Sequence, residues 1–155
     1  MTDKTVMLTF TPVPKSEFEN VLALLKLGLF EVIDEVFGWD DAFQRQRIKD
    51  DYHWSWMHWV KHHNDTIGLI CFKPYDQALH LHLILLYPDY QRQGFGQKIM
   101  AQIHAIAREE HRDVTLSAFK KNVGAVRLYQ KLGYRVEHEE EHFLLFRLPF
   151  QQDSK

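Results

Sequence analysis

Residues 80–96, HLHLILLYPDYQRQGFG, set two histidines, His80 and His82, into an apolar run that leads to a G-x-G turn. Side chains alternate along a strand, so the two imidazoles share one face. Imidazole exchanges a proton near neutral pH, and such a pair can act as an acid–base group. H-x-H on a strand can also give a metal two ligands, but no third histidine or carboxylate stands at a telling spacing nearby. The turn offers other chemistry. Glycines between a strand and a helix let the backbone approach a ligand closely and take up positive φ. The next helix then presents unpaired amides and the positive end of its dipole. That combination suits a phosphate or pyrophosphate. By itself G-x-G also reads as a tight turn into a helix, since it lacks the third glycine of a dinucleotide fingerprint and the G-K-[ST] of a P-loop.

The bulk of the chain narrows the setting. It has 155 residues, 45% hydrophobic and 14% aromatic, enough for one domain with a proper core. Its 19 basic and 21 acidic residues leave no basic face, so nucleic acid is not expected as a partner. The single cysteine, Cys71, cannot form an internal disulfide and favours a reducing compartment. The start, MTDKTVMLTF, lacks the apolar core of a signal peptide. The most apolar helical stretch, VLALLKLGLFEVIDEVF, is interrupted by Lys26, Glu31, Asp34 and Glu35 and reads as a packing helix, not a membrane span. The expectation is a cytoplasmic chain forming a single domain over residues 1–155, with no membrane partner.

These residues must be positioned by a regular framework. A strand is expected over Val6 to Thr11, ended by Pro12 and Pro14, and then a helix from about Ser16 to Phe37, bent at Gly28 and stopped by Gly38. Asp40 or Asp41 can cap a second helix through AFQRQRIKDDY. HWSWMHWVKHH, IGLICFKP and ALHLHLILLY read as a three-stranded meander, with Trp54, Trp56 and His58 on one face of the first strand. A helix from about Gln97 to Glu110, the strand VTLSAF, the helix VGAVRLYQKL and a hairpin of YRVEHEE and HFLLFRL complete a β-α-α-β-β-β-α-β-α-β-β order. That order predicts an α/β (α+β) mixed sheet with helices on its faces. The hairpin can offer a sheet edge to a second copy, a possible homodimer.

YPDYQRQGFGQKIM resembles the pyrophosphate loop of the GNAT superfamily of N-acetyltransferases, whose Q/R-x-x-G-x-G/A pattern falls on Gln91, Gly94 and Gly96. NVGAVRLYQKLGYR is similar to that family's downstream helix, with Asn122, Ala125, Tyr129, Gly133 and Tyr134 at matching positions. The close resemblance covers about residues 78 to 135, and the element order fits the fold over the whole chain. It implies a mostly antiparallel mixed sheet with a splayed central strand pair, and acetyl-CoA as co-substrate without a metal. The resemblance places the pantetheine arm on the main chain of Ile84, Leu85 and Leu86. It places the pyrophosphate on the amides of Arg92, Gln93, Gly94, Phe95, Gly96 and Gln97, beside Gln91. Asn122 would hydrogen-bond the pantetheine, and Tyr129 would point at the sulfur. From the residues alone, Asn122 is equally a helix cap and Tyr129 reads first as a core aromatic, and it is the register with Asn122, Ala125 and Gly133 that favours the family's role.

HLH resembles the histidine pair that arylalkylamine N-acetyltransferases carry at this place in the strand, in front of the loop. The resemblance implies a base. An alkylamine with a pKa of about 10 must lose a proton before it attacks a thioester, and an imidazole near 6.5 can take it, directly or through water. A backbone amide near Leu86 would steady the oxyanion and the Tyr129 hydroxyl would protonate the thiolate. The expected reaction is direct acetyl transfer to a primary amine, with His80 or His82 as base.

The family's usual acceptor region implies a substrate wall of Trp39, Trp54 and Trp56 with a carboxylate from Asp40 or Asp41, although core packing and capping account for the same residues. The acidic run Glu137 to Glu141 reads as a solvated hairpin turn. Two alternatives remain. PDYQRQG is also similar to the loop of ribosomal-protein alanine acetyltransferases, which would make the acceptor a peptide N-terminus. A CoA-binding module without turnover is the other.

Overall fold

The computed structural model describes residues 8–51 and 54–150. Seven strands and four helices follow the expected order: β1 (Leu8–Pro12), α1 (Phe18–Val36), α2 (Asp41–Asp51), β2 (Met57–His62), β3 (Asp65–Tyr75), β4 (Ala78–Leu86), α3 (Phe95–Glu109), β5 (Asp113–Phe119), α4 (Val123–Lys131), β6 (Arg135–Glu139) and β7 (Phe143–Leu148). The strands form a mixed sheet in the order β1-β2-β3-β4-β5-β7-β6. Neighbours β1–β2, β2–β3, β5–β7 and β6–β7 are antiparallel. The β4–β5 pair is parallel and in register from Ala78↔Asp113 to Leu81↔Leu116, while β4 itself continues to Leu86 and β5 to Phe119. Residues cluster into two compact units, Met1–Cys71 with Leu83–Met100 and Phe72–His82 with Ala101–Lys155.

In the first unit, helical spacing puts Val21, Leu22, Leu24 and Leu25 on one stripe of α1. That stripe packs with Ile48 of α2, Met57 and Trp59 of β2, Leu69 and Cys71 of β3, and Leu83 and Leu85 of β4. The helix α1 runs unbroken through Gly28. A Cβ there would lie 2.9 Å from Leu85 Cδ2, so the glycine lets the helix approach β4 closely. Gly38, at φ +82°, ends α1 by donating to the Ile33 and Asp34 carbonyls at 3.1 and 3.0 Å. Asp40 then caps α2 by accepting the Phe43 amide at 3.0 Å.

Three sequence expectations are corrected here. Trp54–Trp56 form a 3-10 turn instead of the start of β2, so Trp54, Trp56 and His58 do not share a strand face. The helix after the glycine turn starts at Phe95, not Gln97. Glu137 and Glu139 belong to β6 and not to a turn. Val6, Tyr52 and His53, expected at element ends, lie outside the described residues.

In the second unit β5 and β7 lie side by side, and their register sets the buried Val114 opposite Leu148 and Leu116 opposite the buried Phe146. Tyr129 of α4 lies over Phe146, ring centroids 5.9 Å apart, and beside Tyr134 at 5.7 Å. All five residues of β6, the outer strand, are exposed. Among the described residues no helix is long and apolar enough to cross a membrane.

Candidate active site

Alternation along β4 buries Leu79, Leu81, Leu83 and Leu85 and leaves His80, His82, Ile84 and Leu86 half-buried. The His80 and His82 rings meet edge to face, centroids 4.6 Å apart. His80 Nδ1 sits 2.7 Å from the Thr115 hydroxyl oxygen, across the parallel register that pairs these two residues. Burial, and then the charge of Lys73, hold the His80 pKa below the ordinary imidazole value. His80 is therefore neutral at pH 7 and able to accept a proton. His82 Nε2 is buried. Both rings open onto a cavity of about 510 Å³ that lies wholly within the second unit. Its walls come from the β3–β4 hairpin, β5, β6 and β7.

Tyr129, 7% exposed, has its phenol pushed up to about 12 by burial, which keeps it protonated throughout the working range. Asn122 is the N-cap of α4: its side-chain oxygen accepts the Ala125 amide at 3.4 Å, leaving the two N–H bonds of its amide to serve a ligand. The Cys71 thiol is fully buried and raised to about 12 by that burial, which disqualifies it as a nucleophile. Among the described residues no group of three or more His, Cys, Asp or Glu could hold a metal ion.

The glycine turn belongs to the first unit. Left-handed φ at Arg92 (62°) and Gly94 (86°) flanks Gln93. Gln91 Nε2 donates to the Leu86 carbonyl at 3.0 Å and Gln93 Nε2 to the Asp89 carbonyl at 2.6 Å, so both glutamines brace the loop. Lys98 is the first helical amide to reach a carbonyl, that of Gly94 at 3.2 Å, and the amides of Phe95, Gly96 and Gln97 head the helix as unpaired donors. A Cβ on Gly96 would meet nothing within 4 Å, and one on Gly94 only Lys98 Nζ at 3.8 Å. This open, amide-lined space beside a lysine and an arginine fits a pyrophosphate.

The expected substrate wall behaves differently. Trp39 donates its indole N–H to Asp41, which also pairs with Lys26 at 3.3 Å, and Asp40 is the helix cap. Trp54 and Trp56 pack against the first unit's core. None of Trp39, Asp40, Asp41, Trp54 and Trp56 is in the lining of the histidine cavity. Two buried polar atoms beside this core have no hydrogen-bond partner, Trp54 Nε1 and Gln44 Oε1. Sequence reasoning missed Thr115, Glu137 and Arg147 at the cavity. The signal for Thr115 lay in the parallel register, which periodicity alone does not give.

A profile of the family described as the Acetyltransferase (GNAT) family matches residues 23–134, and the chain belongs to that family. The 5-NmdU N-acetyltransferase of Pseudomonas phage PaMx11 is 30% identical over 90 residues, which are 57% of this chain and 63% of that protein. The match therefore spans less than two thirds of the relative's length. The fold is similar to that of the PaiA N-acetyltransferase from Thermoplasma acidophilum, solved in complex with coenzyme A, with a TM-score of 0.73 at 12% identity over 93% of this chain and 99% of that one. It is also similar to the ribosomal-protein-S18-alanine N-acetyltransferase from Escherichia coli, with a TM-score of 0.67 at 15% identity, covering 96% and 97% of the two chains.

Proposed function

We propose that the chain transfers an acetyl group from acetyl-CoA to a primary amine by direct attack, with the β4 histidine pair as base. The observation that carries this is a pair of half-buried imidazoles, one kept neutral by burial and Lys73 and anchored on Thr115, opening onto a ligand-sized cavity in a GNAT chain. Neutrality matters because an ammonium ion cannot attack, and a base already protonated cannot help it.

In this reading the amides of Arg92 through Gln97 take the pyrophosphate, with Gln91 bracing the loop. The main chain of Ile84, Leu85 and Leu86 takes the pantetheine as an added strand would, and the Asn122 N–H groups donate to it. The co-substrate supplies an acetyl group on a thiolate leaving group. The amine nitrogen forms a bond to the acetyl carbon, and the carbon–sulfur bond breaks. The proton lost from nitrogen goes to His80 or His82, and the departing thiolate takes one from the Tyr129 hydroxyl. The inert Cys71 thiol favours this direct route over an acyl-enzyme. The coenzyme A in the similar Thermoplasma structure and the acetyltransferase activity in the phage relative's name support the co-substrate and the reaction type.

Incubating the protein with acetyl-CoA and a panel of amines and peptides, while following free thiol, tests the proposal. Acceptor-dependent thiol release supports it, and its loss in His80→Ala or His82→Ala with acetyl-CoA binding retained assigns the base. CoA binding without thiol release for any acceptor would leave a binding module.

A further inference from the structure

We infer that a second cavity in the unit Phe72–His82 with Ala101–Lys155, lined by His104, Arg108 and Arg112, binds a small organic anion: a carboxylate on a compact apolar body. The inference is independent of the acetyl-transfer reading, because this lining shares no residue with the histidine cavity or with the glycine turn.

Strand alternation separates the two cavities. Thr115 and Arg147 are register partners and line the histidine cavity, whereas their chain neighbours Val114 and Leu148, also partners, line this one. The cavities therefore lie on opposite faces of the β5–β7 ladder. The second has a volume of about 220 Å³, below the roughly 300–1,000 Å³ of drug-sized sites, so it suits a body of one ring or a short branched chain. Val114, Leu132 and Leu148 give that body apolar walls. Phe150 is a further wall and is held in place. Its amide donates to Asp113 Oδ1 at 2.8 Å, and its ring stacks on His111 with centroids 5.0 Å apart.

The charge of the lining is one-sided. Its titratable residues are His104, Arg108 and Arg112, with no carboxylate among them. Arg108 is the decisive group. Its guanidinium makes no hydrogen bond or ion pair with a described residue. The positions three and four residues away, His104, Ala105, His111 and Arg112, hold no acid. Nor do the neighbouring helix ends need it. The Ile106, Ala107 and Arg108 carbonyls of α3 accept from the Glu110, Arg112 and His111 amides. The Leu128, Tyr129 and Gln130 carbonyls of α4 accept from Leu132, Tyr134 and Gly133.

The nearby acids are spent elsewhere. Glu110 pairs with Arg112 Nε at 3.0 Å, and the two Asp113 oxygens accept from Arg147 and from the Phe150 amide. Arg112 Nη1 donates to the Asp76 carbonyl at 2.7 Å, which leaves Nη2 as a donor. His104 Nε2 lies 2.7 Å from the Tyr134 hydroxyl, and burial first, then Arg108, hold its pKa below the ordinary imidazole value. With the phenol donating to Nε2, the neutral ring carries its proton on Nδ1. One guanidinium charge thus stands without a counter-ion among groups that donate. A carboxylate supplies the missing charge and matches the guanidinium fork, whereas an amide or an amine does not.

Titrating benzoate, benzamide and inorganic phosphate into the full chain labelled with nitrogen-15, while following amide shifts, tests this. Benzoate should bind one-to-one with a Kd of about 5 mM or tighter and move the His104, Arg112 and Phe150 amides. Benzamide has the body without the charge and phosphate the charge without the body, and each should bind at least about fivefold more weakly. Arg108 is exposed, so Arg108→Gln should weaken benzoate by about fivefold or more at unchanged Tm, while Arg92→Gln on the glycine turn should leave it unaltered. Benzamide or phosphate binding as tightly as benzoate, shifts confined to residues 91–97, equal benzoate affinity in Arg108→Gln, or no saturable shift overturns the inference. Acetyl transfer is untouched by any of these results.

Discussion

The Nδ1 atom of His80 lies 2.7 Å from the hydroxyl oxygen of Thr115, its register partner on β5. With Nδ1 held there, proton exchange with the cavity falls to Nε2, and a Thr115 oxygen that accepts from Nδ1–H fixes the tautomer in which Nε2 is basic. Thr115 is then a positioning residue. Thr115→Val should lower kcat about tenfold with little change in the KM for acetyl-CoA, and Thr115→Ser should restore most of it. Steady-state kinetics on the two variants decides the matter; equal rates in wild type and Thr115→Val would remove the role.

Lys73 sets a second expectation, for pH. Burial first and Lys73 next lower the His80 pKa, so the acidic limb of kcat/KM should lie below the ordinary imidazole value of about 6.5. Lys73→Met removes a positive neighbour, stabilises the protonated ring and should move the limb to higher pH. A limb that stays put, or moves down, would show that another group titrates.

The same lowering bears on stability. His58, His80 and His104 all have lowered pKa values, led in each case by burial. The unfolded chain therefore binds more protons than the folded one just below the ordinary imidazole value, and stability rises with pH in that window. It should be complete above about pH 6.5 and decline as pH falls through the lowered values, a slope that denaturant titrations at stepped pH can read.

Tyr129 separates packing from chemistry. Its ring is held between Phe146 and Tyr134, so Tyr129→Phe keeps the packing and deletes only the hydroxyl. Turnover should fall by about a hundredfold while the KM for acetyl-CoA changes less than about threefold. Parallel loss of both in initial-rate assays would contradict the general-acid role.

Gly68 is a structural counterpart. A Cβ there would lie 2.2 Å from the Leu85 carbonyl oxygen, a main-chain atom that cannot swing aside. Gly68→Ala should cost about 3 kcal/mol or more in urea unfolding. A midpoint within error of wild type would mean that β4 tolerates a shift at Leu85.

How much of this was legible beforehand differs between elements. The glycine turn and the α4 motif could be read because each depends on local spacing: Gly94 must adopt positive φ, and Asn122 must cap a helix. The His80 and His82 face followed from strand alternation. Trp54 and Trp56 misled because alternating aromatics look like a strand, whereas the chain makes a 3-10 turn before β2. The close approach of Gly28 to Leu85 was not legible because that partner lies far along the chain. Thr115, Glu137 and Arg147 reach the cavity only through parallel and antiparallel registers, which local pattern does not encode. Asp40 was read with two roles open, and the cap is the one seen.

The central claim is that the G-x-G turn and the helix it opens hold acetyl-CoA. Isothermal titration of acetyl-CoA into the wild-type protein and into Gly96→Val tests it directly, since a Cβ at Gly96 meets nothing within 4 Å. One-to-one binding by wild type, weakened at least about tenfold in Gly96→Val at unchanged Tm, is the expected result. No binding by wild type, or equal affinity in the two proteins, would contradict it.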